Sequence, residues 1–376
     1  MNTKLRIYSL LPVAASALLG AATLSAEQPP RVVEQLKVHH EAGRFGGWPA
    51  NHGIWSWGNE ILVGFELGYF KDNATGHDID YARPAEHVLA RSLDGGKTWS
   101  LERPDGLRPP PGTRVANVPT ALVGKAPADC PGGIDFTHPD FAITFRMTSI
   151  HDGDSRFHYS MDRGHTWLGP CKLPNFGQPG TAARTDYLVN GKHDMLAFLT
   201  AAKSNRKEGR VICVRTQDGG KTWNMVSFIG PEPEDFAIMP SSVRLSSTDI
   251  VTAIRRRRWI DIYRTYNNGE SWQFVNQATL DIGGNPPSMV KLDDGRLVIT
   301  YGYRLPPYGI RARISSDNGL SWGKEFILRQ DGGGTDLGYP RTVKRPDGLL
   351  VTTYYFNEDA GKERFIGGTI WDPGRP

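Results

Sequence analysis

Hydrophobic and polar positions alternate along the chain in short runs that favour β-strands. The runs ILVGF, AITF, MLAFL, DIVTAI, LVITY and LLVTTYY are rich in β-branched and aromatic residues and are bounded by Gly, Pro, Asn or Asp, as is typical of strands. The segments KLDDGRLV and KRPDGLLV place Asp-Gly between two apolar runs, which favours a hairpin turn. No stretch of 12 or more residues has a helical periodicity. We therefore predict an all-β chain.

Five segments share one pattern, in which Ser or Thr is followed by Asp or Asn, then Gly, then Ser or Thr, and finally Trp. They are SLDGGKTW, SMDRGHTW, TQDGGKTW, TYNNGESW and SSDNGLSW. Their Trp residues lie 68, 56, 49 and 50 positions apart, and 49 further positions lead to Trp371, a degenerate sixth mark. A period near 50 residues with about four strands per unit is typical of β-propeller blades. We predict a six-bladed propeller and leave open a seventh blade between Ser100 and Phe136.

We interpret the repeated segment, called the box below, as structural. Asp or Asn with Gly favours a tight turn, the hydroxyl residues hydrogen-bond to the backbone, and the Trp packs into its blade. A catalytic role would require five equivalent active sites. The run 32–40 is predicted to pair with the last strand near Gly367 to Trp371, which would close the ring and remove exposed edges.

The first residues have the pattern of a secretory signal. Lys4 and Arg6 precede an apolar run, and small residues follow it. This run is shorter than the ~20 residues that a spanning helix needs, and it contains Pro12. We expect residues 1–26 to be a signal peptide, residues 27–376 to form a single propeller domain, and the protein to be exported to the periplasm or the exterior without a membrane span.

Composition and charge exclude other classes of protein. The chain has 43 Gly and 27 Pro among 376 residues, which fits a turn-rich globular fold. The 44 basic and 40 acidic residues are evenly spread, so charge does not indicate a nucleic-acid partner. The Cys and His residues lack metal-ligand spacing. We expect a monomer that requires no metal and no cofactor.

The odd number of cysteines allows at most one internal disulfide. Cys130 with Cys171 is our first choice of pair, and ordinary buried thiols are the alternative.

The innermost strands of a propeller all begin around the central channel, so the segments that open the blades should converge in space. We identify six such openings: GWPANHG (47–53), THPDF (137–141), ARTDY (183–187), IMPSS (238–242), GNPPS (284–288) and GYPRT (338–342). Five of them contain Pro, which suits the first residue of a strand. Functional side chains are therefore expected in and beside these openings.

Arginines and acids lie in or near the openings. The arginines are Arg44, Arg184, Arg304 and Arg341, and the acids are Asp140, Asp186 and Asp336. Guanidinium groups hold carboxylates through paired hydrogen bonds, so arginines gathered around a channel favour an anionic sugar as ligand. The alternative is that each arginine pairs with a nearby Asp to seal contacts between blades.

The five boxes resemble the Asp-box repeats of the sialidase superfamily, and this resemblance covers essentially the whole mature chain. Sialidases bind the substrate carboxylate with three arginines and use a Tyr activated by Glu as nucleophile and an Asp as general acid/base. The resemblance implies Tyr339 as the nucleophile and Asp336 or Asp140 as the acid/base. In sialidases the first Arg stands two residues before Pro, whereas this chain has Gly47 there.

The segment RFGGWPANHGIWSWGNEILVGF (44–65) is similar to secreted propeller enzymes that remove terminal rhamnose from glucuronic acid by hydrolysis or elimination. In those enzymes a His near the mature N-terminus is central, which implies His52 as the proton-transfer group. The alternative is that His52 bridges two blades. Trp48, with Trp55 and Trp57, offers stacking faces for sugar rings, and Asn51 is a further substrate-binding candidate.

Other features are interpreted as structural or solvated. The arginine run 255–258 is assigned to two exposed pairs, because alternate residues of a strand face opposite ways. Lys203 and Glu208 follow a strand and could reach the channel, and we prefer the alternative that they lie in a solvated turn. His39, His40, His77 and His87 are assigned no role as metal ligands.

These observations favour an exported, exo-acting glycoside hydrolase that cleaves a terminal sugar from an acidic oligosaccharide or polysaccharide. The glycan would carry sialic acid or a rhamnose-capped uronic acid. One alternative is a polysaccharide lyase, in which His52 or Tyr339 removes the proton at C5 of a uronic acid and Arg stabilises the developing charge. Another is a glycan-binding propeller without catalytic activity.

Overall fold

The computed structural model describes Met1 and residues 28–111 and 123–375. The predicted signal peptide therefore lies outside the described residues except for Met1. The described chain forms six antiparallel sheets, one per blade, which confirms the predicted six-bladed propeller. The described ranges contain no seventh sheet between Ser100 and Phe136. No helix within these ranges is long and apolar enough to cross a membrane.

The strands follow one another blade by blade along the chain. Strand β1 (Arg31–His39) precedes the first blade. Blade 1 contains β2 (Arg44–Gly47), helix α1 (Pro49–His52), β3 (Ile54–Trp57), β4 (Glu60–Tyr69), β5 (Glu86–Ser92) and β6 (Ser100–Glu102), and a 3-10 turn follows at Asp105–Leu107. Blade 2 contains β7 (Ala142–Met147), β8 (Ser155–Ser160) and β9 (Leu168–Lys172). Blade 3 contains β10 (Thr181–Ala182), β11 (Tyr187–Gly191), β12 (Asp194–Ala202), β13 (Glu208–Thr216) and β14 (Asn224–Ile229).

The last three blades have four strands each. Blade 4 contains β15 (Ile238–Arg244), β16 (Ile250–Arg255), β17 (Ile260–Thr265) and β18 (Gln273–Gln277). Blade 5 contains β19 (Pro287–Lys291), β20 (Leu297–Tyr303), β21 (Gly309–Ser315) and β22 (Phe326–Arg329). Blade 6 contains β23 (Gly338–Lys344), β24 (Leu350–Phe356) and β25 (Phe365–Asp372), with β1 as its fourth strand.

The ring closes through the predicted pairing of the two ends of the chain. Strand β1 runs antiparallel to β25, with Val32 opposite Trp371 and Leu36 opposite Gly368. The first and last segments are thus joined in one sheet, so blade 6 depends on both for its outer edge.

The central strands of the blades are buried on both faces, because each sheet is packed between two neighbouring sheets. Every residue of β24 is buried, and all but the first residue of β12 are buried. This double burial explains why these strands read as continuous apolar runs rather than as alternating ones.

The five boxes share one geometry. The first hydroxyl donates to the Asp or Asn side chain two residues later, at 2.8 Å for Ser92 and Asp94, 2.7 Å for Ser160 and Asp162, 3.0 Å for Thr216 and Asp218, 2.8 Å for Thr265 and Asn267, and 2.7 Å for Ser315 and Asp317. In three boxes the Trp indole also donates to the Gly carbonyl: Trp99, Trp167 and Trp272. The box acts as a local clamp on the turn between the third and fourth strands.

Blade 2 departs from the expected plan because it has three strands in the described residues. Its box follows β8, so β8 takes the place of the third strand and β7 that of the second. The segment 137–141 therefore precedes a second strand, which starts at the opposite face from an innermost strand. Asp140 accordingly pairs with Arg163 of the box at 2.6 Å, and its predicted position at the channel opening is wrong.

The predicted disulfide is absent. Cys130, Cys171 and Cys213 are free and buried. The alternative of ordinary buried thiols describes these residues.

Candidate active site

A cavity of about 820 Å³ lies at the face where the innermost strands begin and the second strands end. Its polar and charged lining comes from five blades and includes Asn51, His52, Glu66, His77, His87, Arg146, Arg156, Arg184, Glu208, Arg255 and Tyr339. Trp48, Phe236 and Ile238 add apolar wall. The boxes join third strands to fourth strands, so they lie at the opposite face, and no box residue contributes to the cavity wall.

Helix α1 interrupts the innermost strand of blade 1 and carries the first opening into the cavity. Trp48 precedes it with a φ of 59°, and Pro49 is its first residue. The His52 carbonyl accepts a hydrogen bond from the Thr185 hydroxyl at 2.7 Å, which joins α1 to blade 3. Gly64 of β4 passes close by, and a Cβ added to it would lie 2.9 Å from His52 Cβ. Glycine at this position therefore leaves room for His52.

Three histidines meet at the cavity. The buried His52 ring lies edge-to-face on His87, with ring centres 5.1 Å apart. The His77 ring lies edge-to-face on Trp48, with ring centres 4.9 Å apart. Of these three, only His52 was predicted from the sequence to be catalytic. His77 and His87 were considered only as possible metal ligands.

His77 is oriented by a buried carboxylate. His77 Nδ1 lies 2.5 Å from Asp336 Oδ1. Asp336 also accepts hydrogen bonds from the Asp78 N–H at 3.0 Å and the Tyr355 hydroxyl at 2.7 Å. Burial would raise the pKa of Asp336, but His77 and these donors lower it to about 2. Asp336 therefore stays ionised at neutral pH and fixes the ring of His77, whose Nε2 is left for the cavity.

Tyr339 is held with its hydroxyl among arginines. Its φ is 49°, and its N–H donates to Asn285 Oδ1 at 2.9 Å, which supports this strained backbone. Arg255 Nη1 donates to its hydroxyl at 2.9 Å. Burial would raise the pKa of Tyr339, but the positive charges of Arg255, Arg304 and Arg184 outweigh this effect and lower it. The ionised hydroxyl is therefore favoured relative to an ordinary tyrosine.

Arg184 and Arg255 keep donors at the cavity wall. Arg184 donates to Asn51 Oδ1 at 3.1 Å and to Glu208 Oε1 at 2.7 Å. Its Nη1, and Nε of Arg255, have no hydrogen-bond partner in the described part of the chain. Buried N–H groups of this kind bind carboxylate oxygens well.

Arg341 and Asp186 lie beneath the cavity, not in its wall. Arg341 Nη2 donates to the Ala50 carbonyl at 2.6 Å and the Thr185 carbonyl at 2.5 Å, which ties α1 to blade 3. Asp186 accepts both the N–H and the hydroxyl of Ser242. Burial raises the pKa of Asp186 to about 7, although the Arg341 charge lowers it. Neither residue is among the described residues that line the cavity, so both support the site from below.

Arg304 and Arg44 also bind other residues of the protein and do not line the cavity. Arg304 donates to the Tyr355 hydroxyl at 2.8 Å and lies 5.5 Å from the centre of the Tyr339 ring, behind the cavity wall. Arg44 donates to two carbonyls of β4 and pairs with Glu86 at 2.8 Å. Arg44 therefore pairs with a carboxylate inside blade 1 and neither lines the cavity nor joins two blades.

Of the three predicted stacking residues, Trp48 alone lines the cavity. Trp55 packs on Trp167 of blade 2, with ring centres 5.5 Å apart, and Trp57 packs against the same cluster.

Sequence reasoning missed several cavity residues. Arg255 was assigned to an exposed pair, but it is half-buried and lines the cavity. Arg257 and Arg258 of the same run are exposed, as predicted. For Glu208 the solvated turn was preferred, whereas the alternative describes it, since it lines the cavity and pairs with Arg184. The signal available was position, since both stand at the cavity end of a strand, Arg255 at the end of β16 and Glu208 at the start of β13.

The chain was compared with known proteins by sequence and by structure. A family model described as a BNR repeat-like domain matches residues 144–352. No curated protein matches the sequence at a significant level. A protein of unknown function from Dyadobacter fermentans is 21% identical with a TM-score of 0.70, over 91% of this chain and 99% of that one.

Two structures of named activity are more distant. The K499G mutant of NanB sialidase from Streptococcus pneumoniae is 12% identical with a TM-score of 0.62, over 89% of this chain and 70% of that one. The α-L-arabinanase of Penicillium chrysogenum, complexed with arabinobiose, is 14% identical with a TM-score of 0.58, over 91% of this chain and 99% of that one. Likeness at these identities concerns the fold. Since the family model spans more than half of the residues and the boxes recur around a six-bladed ring, the chain belongs to the BNR repeat-like domain family.

Proposed function

We propose that the protein is an exo-acting glycoside hydrolase that removes a terminal sugar from a glycan carrying a carboxylate. The observation that carries this proposal is Tyr339, whose hydroxyl stands at the cavity wall on the guanidinium of Arg255. The cavity of about 820 Å³ is within the size range of pockets for one small ligand, which suits the end of a glycan chain.

Arg184 and Arg255 bind the substrate carboxylate in this proposal. Both line the cavity, and each has an N–H group that no described residue accepts. A carboxylate placed there satisfies these donors and neutralises part of the local positive charge. This is the reason to expect an anionic rather than a neutral sugar.

Tyr339 and His77 supply the chemistry. The Tyr339 oxygen attacks the anomeric carbon while His77 gives a proton to the departing glycosidic oxygen. Water then attacks the glycosyl–tyrosine intermediate, His77 takes a proton from that water, and the sugar leaves from Tyr339. Asp336 keeps His77 in place and takes no part in proton transfer, because its pKa of about 2 keeps it ionised.

One observation favours elimination as a second candidate. The Tyr339 hydroxyl is bound by Arg255, whereas the resemblance to sialidases implies a Glu beside it. A tyrosine with a lowered pKa next to arginines also suits a base that removes the proton at C5 of a uronic acid, with Arg255 stabilising the charge on the carboxylate. His77 would again protonate the leaving oxygen.

Incubation with sialylated and rhamnose-capped uronic-acid glycans, followed by mass spectrometry and ultraviolet absorbance, separates these candidates. Hydrolysis adds one water to the products, whereas elimination adds none and creates an absorbing double bond. Tyr339→Phe should abolish either reaction. Tyr266→Phe is the control, because Tyr266 is exposed in the turn after β17, and this variant should keep wild-type activity. Glycans that bind and remain intact would overturn the enzymatic proposal in favour of a binding propeller. Export through residues 1–26 and a monomeric state stay predictions from the sequence.

A further inference from the structure

Arg146 and Arg156, called the arginine pair below, lie side by side in the wall of the cavity. They are direct partners across β7 and β8, so their side chains leave the sheet on the same face. Both line the cavity, and only 4% of Arg146 and 2% of Arg156 are exposed.

The pair has donors without acceptors. Arg146 Nη1 donates to the Phe145 carbonyl at 3.0 Å, to the His52 carbonyl at 3.3 Å and to the Thr144 hydroxyl. Nε and Nη2 of Arg146, and Nε and Nη1 of Arg156, have no hydrogen-bond partner among residues 28–111 and 123–375. The segment 112–122, between these ranges, contains no Asp or Glu.

The surrounding charges do not neutralise the pair. Glu66 lines the same cavity and its negative charge acts favourably on Arg146. His158 lies nearby, and burial together with the charges of both arginines lowers its pKa well below the ordinary value, so it stays neutral. Two cations thus face one carboxylate.

This arrangement is costly for the folded protein. Burial lowers the pKa of Arg146 to about 9, with a further contribution from Arg156, and lowers that of Arg156 to about 10. Like charges placed opposite each other across two strands are destabilising, as are buried donors without acceptors. Costs of this kind concentrate where a protein binds an ion or a charged ligand.

The pair is separate from the arginines around Tyr339. Arg146 and Arg156 stand on β7 and β8 of blade 2, whereas Tyr339, Arg255 and Arg304 belong to blades 6, 4 and 5. The cavity therefore has two cationic places.

We propose that Arg146 and Arg156 form a second anion subsite, which binds a carboxylate or sulfate ester on a sugar other than the one held at Tyr339. The inference rests on the proposed action on glycans and narrows the substrate to glycans with at least two anionic groups. Paired guanidinium forks suit either oxyanion. The subsite thus favours substrates in which the sugar next to the one held at Tyr339 carries a negative charge.

Calorimetric binding of matched disaccharides tests the inference without relying on turnover. The ligands are a uronic-acid disaccharide with a sulfate ester on its second sugar, one with a carboxylate there, and one with a neutral hydroxymethyl group there. Wild-type protein should bind one or both dianionic ligands at least tenfold more tightly than the monoanionic ligand, since charge-assisted hydrogen bonds give about this difference. The dianionic ligand that binds more tightly shows whether the subsite prefers a sulfate ester or a carboxylate.

The variants Arg156→Met and Arg146→Gln should lose this preference while binding the monoanionic ligand as wild type does. Arg255→Gln should weaken all three ligands and keep the preference. Equal weakening of all ligands by Arg156→Met, or a preference that survives in both variants, would overturn the subsite. If the dianionic preference is present but no glycan is cleaved, the subsite stands and the proposed hydrolysis falls.

Thermal unfolding distinguishes a binding role from a structural one. Arg156→Met removes a buried like-charge contact, so its melting temperature should equal or exceed that of wild type. Arg311→Met is the matched control, because Arg311 is equally buried but donates to the carbonyls of Arg329 and Pro307, and it should melt lower. A large fall for Arg156→Met would assign Arg156 a structural role and contradict the inference.

Discussion

The environment of each carboxylate decides what it can do. Asp336 and Asp186 stand in equivalent openings of the sequence, yet four donors hold Asp336 ionised, whereas burial raises the pKa of Asp186 to about 7. The sequence reveals the residue type but not the neighbours that fix its protonation. Asp336 consequently acts through His77, and Asp186 supports the floor of the site.

Replacing Asp336 by Asn should lower kcat by about 100-fold with little change in KM, because His77 loses the partner that fixes its ring. The loss should be much smaller with a 4-nitrophenyl glycoside, whose leaving group needs no proton. Asp331→Asn, at a more exposed ion pair with Arg329, is the control. Equal losses on both substrates would contradict the role of Asp336 in positioning His77 as the proton donor.

The stability of the protein should depend on the ionisation of Asp186. Its pKa is raised in the folded state to about 7 from an ordinary value of 3.8, so the folded state binds more protons than the unfolded state between these values. Stability from this group is therefore present at low pH and is lost as pH rises through 7. Asp186→Asn should raise the melting temperature relative to wild type more at pH 8 than at pH 4. A difference that is constant with pH would refute this assignment.

Single elements give the site its shape. Three openings carry a residue of positive φ directly before a proline: Trp48 at 59°, Met239 at 52° and Tyr339 at 49°. Met239 and Tyr339 are the second residues of β15 and β23, so the prolines marked these two strand starts, whereas Trp48 precedes helix α1. The strained residue in front of each proline is a device that composition alone does not reveal.

Gly64 of β4 provides the clearest test at this scale. A methyl group there would press on His52 Cβ, displace α1 and lower activity by about 100-fold, the effect of moving catalytic groups by about 1 Å. The expected loss of stability is about 1–3 kcal/mol. Gly191→Ala is the control, since a Cβ there meets nothing within 4 Å. Similar activity for both variants in an assay of sugar release would count against the role of α1.

The sequence predicted the fold of the whole molecule because each blade is a local unit whose box recurs at a readable spacing. The site was harder to predict, because it depends on the end of each strand at which a residue stands. Blade 2 lacks one strand in the described residues, which moved Asp140 to the box face and brought Arg146 into the cavity. The number of strands in blade 2 thus decides which of its residues face the cavity, and no local sequence pattern shows that number.

Ring closure makes the whole propeller depend on its first strand. A chain that starts at Glu41 lacks β1 and leaves the edge of β25 without its partner, so it should melt lower and aggregate more than a chain that starts at Gln28. Differential scanning calorimetry of the two chains checks this. Equal melting temperatures would mean that β1 is dispensable to closure.

The most direct test of the account compares turnover of one acidic glycan with turnover of its carboxyl-reduced counterpart, by wild type and by Tyr339→Phe. We expect wild type to cleave the acidic form and hardly to act on the reduced one, and Tyr339→Phe to lose at least about 1,000-fold in turnover of the acidic form. Equal turnover of both glycans, or undiminished activity of Tyr339→Phe, would contradict it.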